Sequence, residues 1–214
     1  ALVNAPQLRV RSIVAIVPAA SPVSKDDVLA AARIDPSANL WLLNTAAIRA
    51  RLNAIPYVAS SVVHRAQFPK PAVTLEIALR APTGCVRAGN DTVTIDTTAR
   101  VLQNGCVSAL LPFVDAGTGS ATAPGTTLVA PDIDRLLADA KAIGEHVPVR
   151  IVRRDRFGGL EAVDTRGVTL KFGADKDLAS KIALVEPIRA STAHDGPLRT
   201  IDLRAPKTPV VEFR

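Results

Sequence analysis

Between residues 8 and 80 the apolar positions change period in an order that predicts one strand, two helices and two strands. Leu8, Val10, Ser12, Val14 and Ile16 alternate with Arg9, Arg11, Ile13 and Ala15, which places a first strand over Leu8–Val17 with the former set on its apolar face. Pro18-Ala-Ala-Ser-Pro22 ends it. Ser24 ahead of Lys25-Asp26-Asp27 has the form of a helix start, an N-cap hydroxyl followed by first-turn acids. That helix runs Ser24–Arg33 and stops at Ile34-Asp35-Pro36. The linker Asn39-Leu-Trp-Leu-Leu43 is apolar enough to require packing, and Trp41 is expected as its core anchor. Asn44 or Thr45 caps a second helix over Thr45–Ala54, with Ile48, Leu52 and Ile55 on its inner face. Two strands follow, Tyr57–Arg65 and Ala72–Arg80, separated by a turn at Phe68-Pro69-Lys70-Pro71. Val73, Leu75, Ile77 and Leu79 form the clearest period-2 pattern of the chain. A unit of this βααββ order is a two-layer α/β module, better suited to docking than to catalysis.

After Pro82 the pattern turns β-rich. Strands are expected at Cys85–Ala88, Val93–Asp96, Val101–Asn104, Val147–Arg154, Gly159–Asp164 and Val168–Phe172. Helices are expected at Asp132–Ile143, opened by Asp132 and Asp134 as favourable N-terminal acids, and at Lys176–Ala190. The Gly, Ser, Thr and Ala run from Gly117 to Thr127 reads as a mobile loop. The fold class is therefore α+β, with one domain over residues 1–80 and a β-rich domain with flanking helices over 81–214.

The chain closes on two strands, Leu198–Arg204 and Pro209–Phe213, joined by Ala205-Pro-Lys-Thr208. A last strand with a free edge offers unpaired N–H and C=O groups that a partner strand can add to. Val211 and Phe213 would share one face and Val210 and Glu212 the other. Pro206, Lys207 and Pro209 equally fit a second role, protection of that edge against pairing.

Composition narrows the function. Apolar residues make up 48% of the 214 and aromatics 3%, so the core is built from Ala, Val, Leu and Ile. So few aromatics argue against a base-stacking surface for nucleic acid. The net charge of +6 suits nucleic acid, an anionic membrane or simply a solvated Arg-rich surface. Only Arg150, Arg153, Arg154 and Arg156 cluster. Cys85 and Cys106 flank a hairpin-like segment and can be bridged, which would imply an oxidising compartment; two unrelated buried thiols are the alternative. His64, His146 and His194 have no metal-ligand spacing, and no nucleophile elbow or phosphate loop occurs. No enzyme activity, catalytic residue, cofactor or metal is expected. No apolar run reaches the ~18–20 residues that span a bilayer. Ala1 as first residue and the absence of Met suggest an upstream segment, expected to be a membrane anchor.

Several strings, in this order, resemble the extracytoplasmic part of the FtsQ/DivIB family of bacterial cell-division proteins. They include Leu8-Arg-Val-Arg-Ser-Ile13, Val23-Ser-Lys-Asp-Asp-Val28, Ile48-Arg-Ala-Arg-Leu52, Ile55-Pro-Tyr-Val-Ala59, Val73-Thr-Leu-Glu-Ile77 and Arg80-Ala-Pro82. Thr94-Ile-Asp96 before Arg100-Val-Leu102, then Ile201-Asp-Leu-Arg204, continue the likeness. The resemblance implies a POTRA module followed by a β domain on the periplasmic side of a single-pass membrane protein at the division septum. It also implies docking of FtsB- and FtsL-like proteins on the C-terminal strand, and of other divisome proteins on the POTRA module. Carried to this chain, it favours docking over edge protection and points to Ile201, Leu203 and Arg204, with Arg204 facing a partner acid; Val210, Val211 and Phe213 join them only by their position in the following strand. A POTRA-bearing factor of outer-membrane protein assembly or secretion is the alternative class.

Overall fold

The computed structural model describes residues 6–67, 69–117 and 122–214. Contacts divide the chain into two compact units, Ala1–Ala81 and Pro82–Arg214. The expected turn at Phe68 and loop at 117–127 fall in part on residue 68 and residues 118–121, outside the described residues.

In the first unit, β1 (Ser12–Ile16), α1 (Lys25–Ala32), α2 (Thr45–Ala54), β2 (Val58–Ala66) and β3 (Ala72–Leu79) follow one another. The sheet order is β1-β3-β2, with β1 parallel and β2 antiparallel to the central strand. Ser24 caps α1 in a full capping box with Asp27, and the Asn44 side chain accepts from Ala47 N at α2. The Arg51 guanidinium donates to Ala32 O at 2.6 Å, satisfying a carbonyl at the end of α1. Val28, Leu40, Leu52, Val73 and Leu75 are fully buried, so the helices cover one sheet face.

Three expectations for this unit are corrected. The first strand is short: Pro6–Leu8 forms a 3-10 turn and β1 begins at Ser12. Its inward residues are Ile13 and Ala15, while Val14 and Ile16 are half exposed. Pairing decides this, because parallel register sets Ile13 and Ala15 beside the buried Val73 and Leu75 of β3. Trp41 is not a core anchor; it is 50% exposed, and Leu40 beside it takes the buried position.

The second unit contains β4 (Gly84–Ala88), β5 (Asp91–Ile95), β6 (Val101–Asn104), β7 (Phe113–Asp115), α3 (Ile133–Gly144), β8 (Val149–Arg154), β9 (Leu160–Asp164), β10 (Thr169–Gly173), α4 (Leu178–Ala183), α5 (Val185–Ser191), β11 (Leu198–Asp202) and β12 (Val210–Phe213). They form one nine-stranded sheet in the order β12-β11-β10-β9-β8-β7-β4-β5-β6. The α+β class read from the sequence is the class observed.

Strand β7 escaped the sequence reading: three residues are too few to show a period, yet β7 joins β4 to β8, parallel to both. The helix expected over Lys176–Ala190 is two helices. Pro187 has no N–H to give the Ala183 carbonyl, and the break falls between Ala183 and Val185. Asp132 makes no side-chain cap, since its backbone is left-handed at φ 53°.

Three turns share one device. Asp96 Oδ1 accepts from the backbone N–H groups of Thr98 and Arg100, Asp155 Oδ1 from Phe157 and Gly159, and Asp164 Oδ1 from Arg166 and Val168. Each carboxylate replaces backbone partners that a tight turn cannot supply. Asp164 also receives the Arg189 guanidinium, which reaches Glu186 as well. The Asp164 and Arg189 side chains are 2% and 8% exposed.

Cys85 in β4 and Cys106 after β6 are joined by a disulfide, with Cα atoms 5.5 Å apart. The bridge closes a 21-residue separation. Reduction should lower stability by about 3 kcal/mol, read from denaturant unfolding with and without reductant. Arg189→Ala, which leaves Asp164 buried without its partner, should cost about 3–5 kcal/mol. Removing the exposed Arg135, which pairs with Asp175, should cost about 1 kcal/mol or less.

Candidate docking edge

The C-terminal hairpin is built from inside outward. Strand β11 lies between β10, to which it is parallel, and β12, to which it is antiparallel. An inner strand must present apolar residues to the core, and Ile201 and Leu203 are both fully buried. Leu203 N continues the β10 pairing with a 2.8 Å bond to Lys171 O. These two residues, expected to touch a partner, instead hold the hairpin on the sheet. Short motifs name a strand but not which of its side chains face inward.

Arg204 is also placed differently from expectation. Its guanidinium is already met within the chain, with Nη2 2.6 Å and Nε 2.9 Å from Asp202 Oδ2. Gly173, at φ 68°, lies beneath its stem; a Cβ there would come within 2.9 Å of Arg204 Cγ. Burial pushes the Asp202 carboxyl up, but the Arg204 hydrogen bonds and charge outweigh this and hold its pKa below the usual carboxylate range.

Strand β12 pairs Val211 with Ile201, Val210 with Asp202 and Phe213 with Leu198, with an irregularity between Leu198 and Thr200. Val211 packs against the core, whereas Val210 is 59% and Phe213 37% exposed. The turn before it closes with Thr208 N donating to Ala205 O. Among the described residues, no strand pairs with the outer edge of β12.

The opposite edge of the sheet is treated differently. Along β6, Val101 N donates to Thr126 O, Gly125 N donates to Val101 O, and Arg100 bridges Thr127. A returning segment thus covers part of that edge. Beside the Phe213 end of β12 lies a cavity of about 280 Å³, lined in part by Arg166, Arg189, Thr192, Leu198 and Arg214. Arg166 and Arg214 had no signal in the sequence, because they come together only when the β9–β10 turn meets the C-terminal residue. Arg214 Nη2 lies 3.4 Å from Gly167 O.

The Arg150–Arg156 cluster is largely engaged within the chain. Arg153 pairs with Glu161, and Arg154 with Asp139 and Asp175. Arg156 lies over the Phe157 ring, 4.6 Å from its centroid. Among the described residues no group of His, Cys, Asp or Glu could hold a metal ion, and no helix is long and apolar enough to cross a membrane.

Residues 12–80 match the family model of the POTRA domain, FtsQ-type. This segment takes in all three strands and both helices of the first unit, and the match supports an FtsQ/DivIB-like protein. The nine-stranded unit lies outside the matched residues. No curated protein matches the chain.

Because the Asp202 pKa is lowered on folding, its stabilising contribution is present above the unfolded carboxylate value of ~3.9 and is lost as pH falls through the lower folded value. The stability difference between the parent and Arg204→Ala should therefore be present at neutral pH and disappear in acid, as measured by urea unfolding over that range.

Proposed function

We propose that the chain is a non-enzymatic scaffold of the bacterial division machinery that captures a partner strand on β12. An FtsQ-type POTRA domain suggests a division-related scaffold and implies protein–protein contacts in division. The observation that carries the docking mode is the contrast between the two sheet edges: β6 is partly covered by its own chain, and the outer edge of β12 pairs with no strand among the described residues.

On this reading a partner segment extends the sheet past β12 by main-chain hydrogen bonds. Val210 and Phe213 supply exposed apolar contacts, while Val211, Ile201 and Leu203 brace the strand from behind. Arg166 and Arg214 favour an acidic side chain on the partner near the Phe213 end, a role that Arg204 does not fill while Asp202 holds it. The partners in view are FtsB- and FtsL-like proteins, with other divisome proteins on the POTRA domain. The setting is the periplasmic side of a single-pass membrane protein at the septum.

Phe213→Asp and Val210→Asp should each weaken capture of an FtsB-like partner by tenfold or more, a loss of about 1.4 kcal/mol or greater. Both residues are exposed, so thermal unfolding should stay within about 0.5 kcal/mol of the parent. Unchanged capture by both variants, in a pull-down or by calorimetry, would remove the β12 proposal.

A further inference from the structure

The charge of this molecule is unevenly held. Residues 1–81 contain nine Lys and Arg against four Asp and Glu, so +5 of the chain's +6 lies in the POTRA-containing unit. Four of those basic residues gather at one end of its sheet, where β1 and β3 begin and β2 ends. Arg11 N donates to Pro71 O, beside Lys70, and Arg65 in β2 pairs with Val73, one residue from Ala72. Arg9 bridges Asn39. One acid lies nearby in sequence, Asp35, and its Oδ1 is taken by Ser37 N and Oγ, each at 2.7 Å.

The same end exposes the chain's only Trp. Trp41 is 50% exposed and Leu42 65%, side by side in a 3-10 turn whose Leu40 is buried. The Arg65 guanidinium lies over the Trp41 ring at 5.3 Å from its centroid, and its Nη1 donates to Trp41 O at 3.3 Å. An aromatic with an apolar neighbour and a ring of cations has the chemistry of a membrane interface. There the indole sits among headgroups, the Leu side chain enters the acyl boundary, and guanidinium groups meet lipid phosphates. One face of the indole is already occupied by Arg65, which disfavours the ring as a platform for a nucleobase.

We propose that this end of the three-stranded sheet, formed by Trp41, Leu42, Arg9, Arg11, Arg65 and Lys70, docks on the surface of an anionic lipid bilayer. The inference goes beyond the partner-capture role and uses no residue of β12. A bilayer contact would orient the POTRA domain and would not require a spanning helix.

Trp41 is a built-in reporter. The full 214-residue chain is mixed with vesicles of phosphatidylglycerol and phosphatidylcholine in equal parts, or of phosphatidylcholine alone. Anionic vesicles should shift its emission to shorter wavelength, and brominated acyl chains should quench it. Added salt should reverse both effects. The Arg9→Ala/Arg11→Ala double variant should partition about 30-fold more weakly, the loss expected for two basic residues at a lipid surface. Leu42→Glu should abolish quenching with unaltered Tm, since Leu42 is exposed, and Phe213→Asp should bind vesicles as the parent does. No emission change with anionic vesicles, equal binding to phosphatidylcholine alone, or parent-like binding by both the double and Leu42 variants would each overturn the proposal. So would a shift produced by a double-stranded oligonucleotide and not by vesicles.

Discussion

The ion pair between Asp164 and Arg189 organises the second unit. One oxygen of Asp164 holds the β9–β10 turn through Arg166 and Val168, and the other receives Arg189 from α5. A single buried carboxylate therefore ties a hairpin to the helix that leads into β11. Taking both charges out of water is costly. Asp164 offsets this with two backbone N–H donors besides Arg189, and Arg189 reaches Glu186 as well, while its buried Nε has no partner among the described residues. Helix α5 leads along the chain into β11, which pairs with β10 on one side and β12 on the other. The buried Lys181 works in the same way one helix earlier. Its Nζ donates to Phe172 O and Ala174 O at 2.7 Å each, closing the carbonyls where β10 ends.

This arrangement makes the final strand a supported edge. Val211 is drawn toward the core opposite Ile201, which leaves Val210 and part of Phe213 outside. Edge strands attract unwanted pairing, and proline and lysine near them limit it. Here Pro206, Lys207 and Pro209 sit in and just after the turn, before β12 itself begins. The strand's own four residues carry one charge, Glu212. Protection at the turn and availability along the strand are thus compatible, and the two roles left open by the residue pattern do not exclude each other.

Much of the architecture was legible because it rests on local chemistry. The capping box of Ser24 and Asp27, the Asn44 cap and the span Thr45–Ala54 follow from residue types within a few positions. Period-2 alternation at Val73, Leu75 and Ile77 marked the central strand, whose inner face is buried whatever its neighbours. At the candidate docking edge, the hairpin itself could be read from the sequence, but not that Val211 turns inward while Val210 and part of Phe213 stay outside. Nor could the inward positions of Ile201 and Leu203 or the pairing of Arg204 with Asp202. Those depend on which strand lies on each side.

By itself the sequence determined the helix starts, the αβ order of the first unit, the β-rich character of the second and the cysteines available for bridging. Only tertiary structure decided which face of β1 turns inward, that Trp41 stays outside under Arg65, that three residues near Val114 become an inner strand, and that Arg166 and Arg214 meet beside β12. The physical reason is common to all four. A residue's local pattern sets its backbone conformation, but its burial and its charge partner are set by strands and turns far away in the chain.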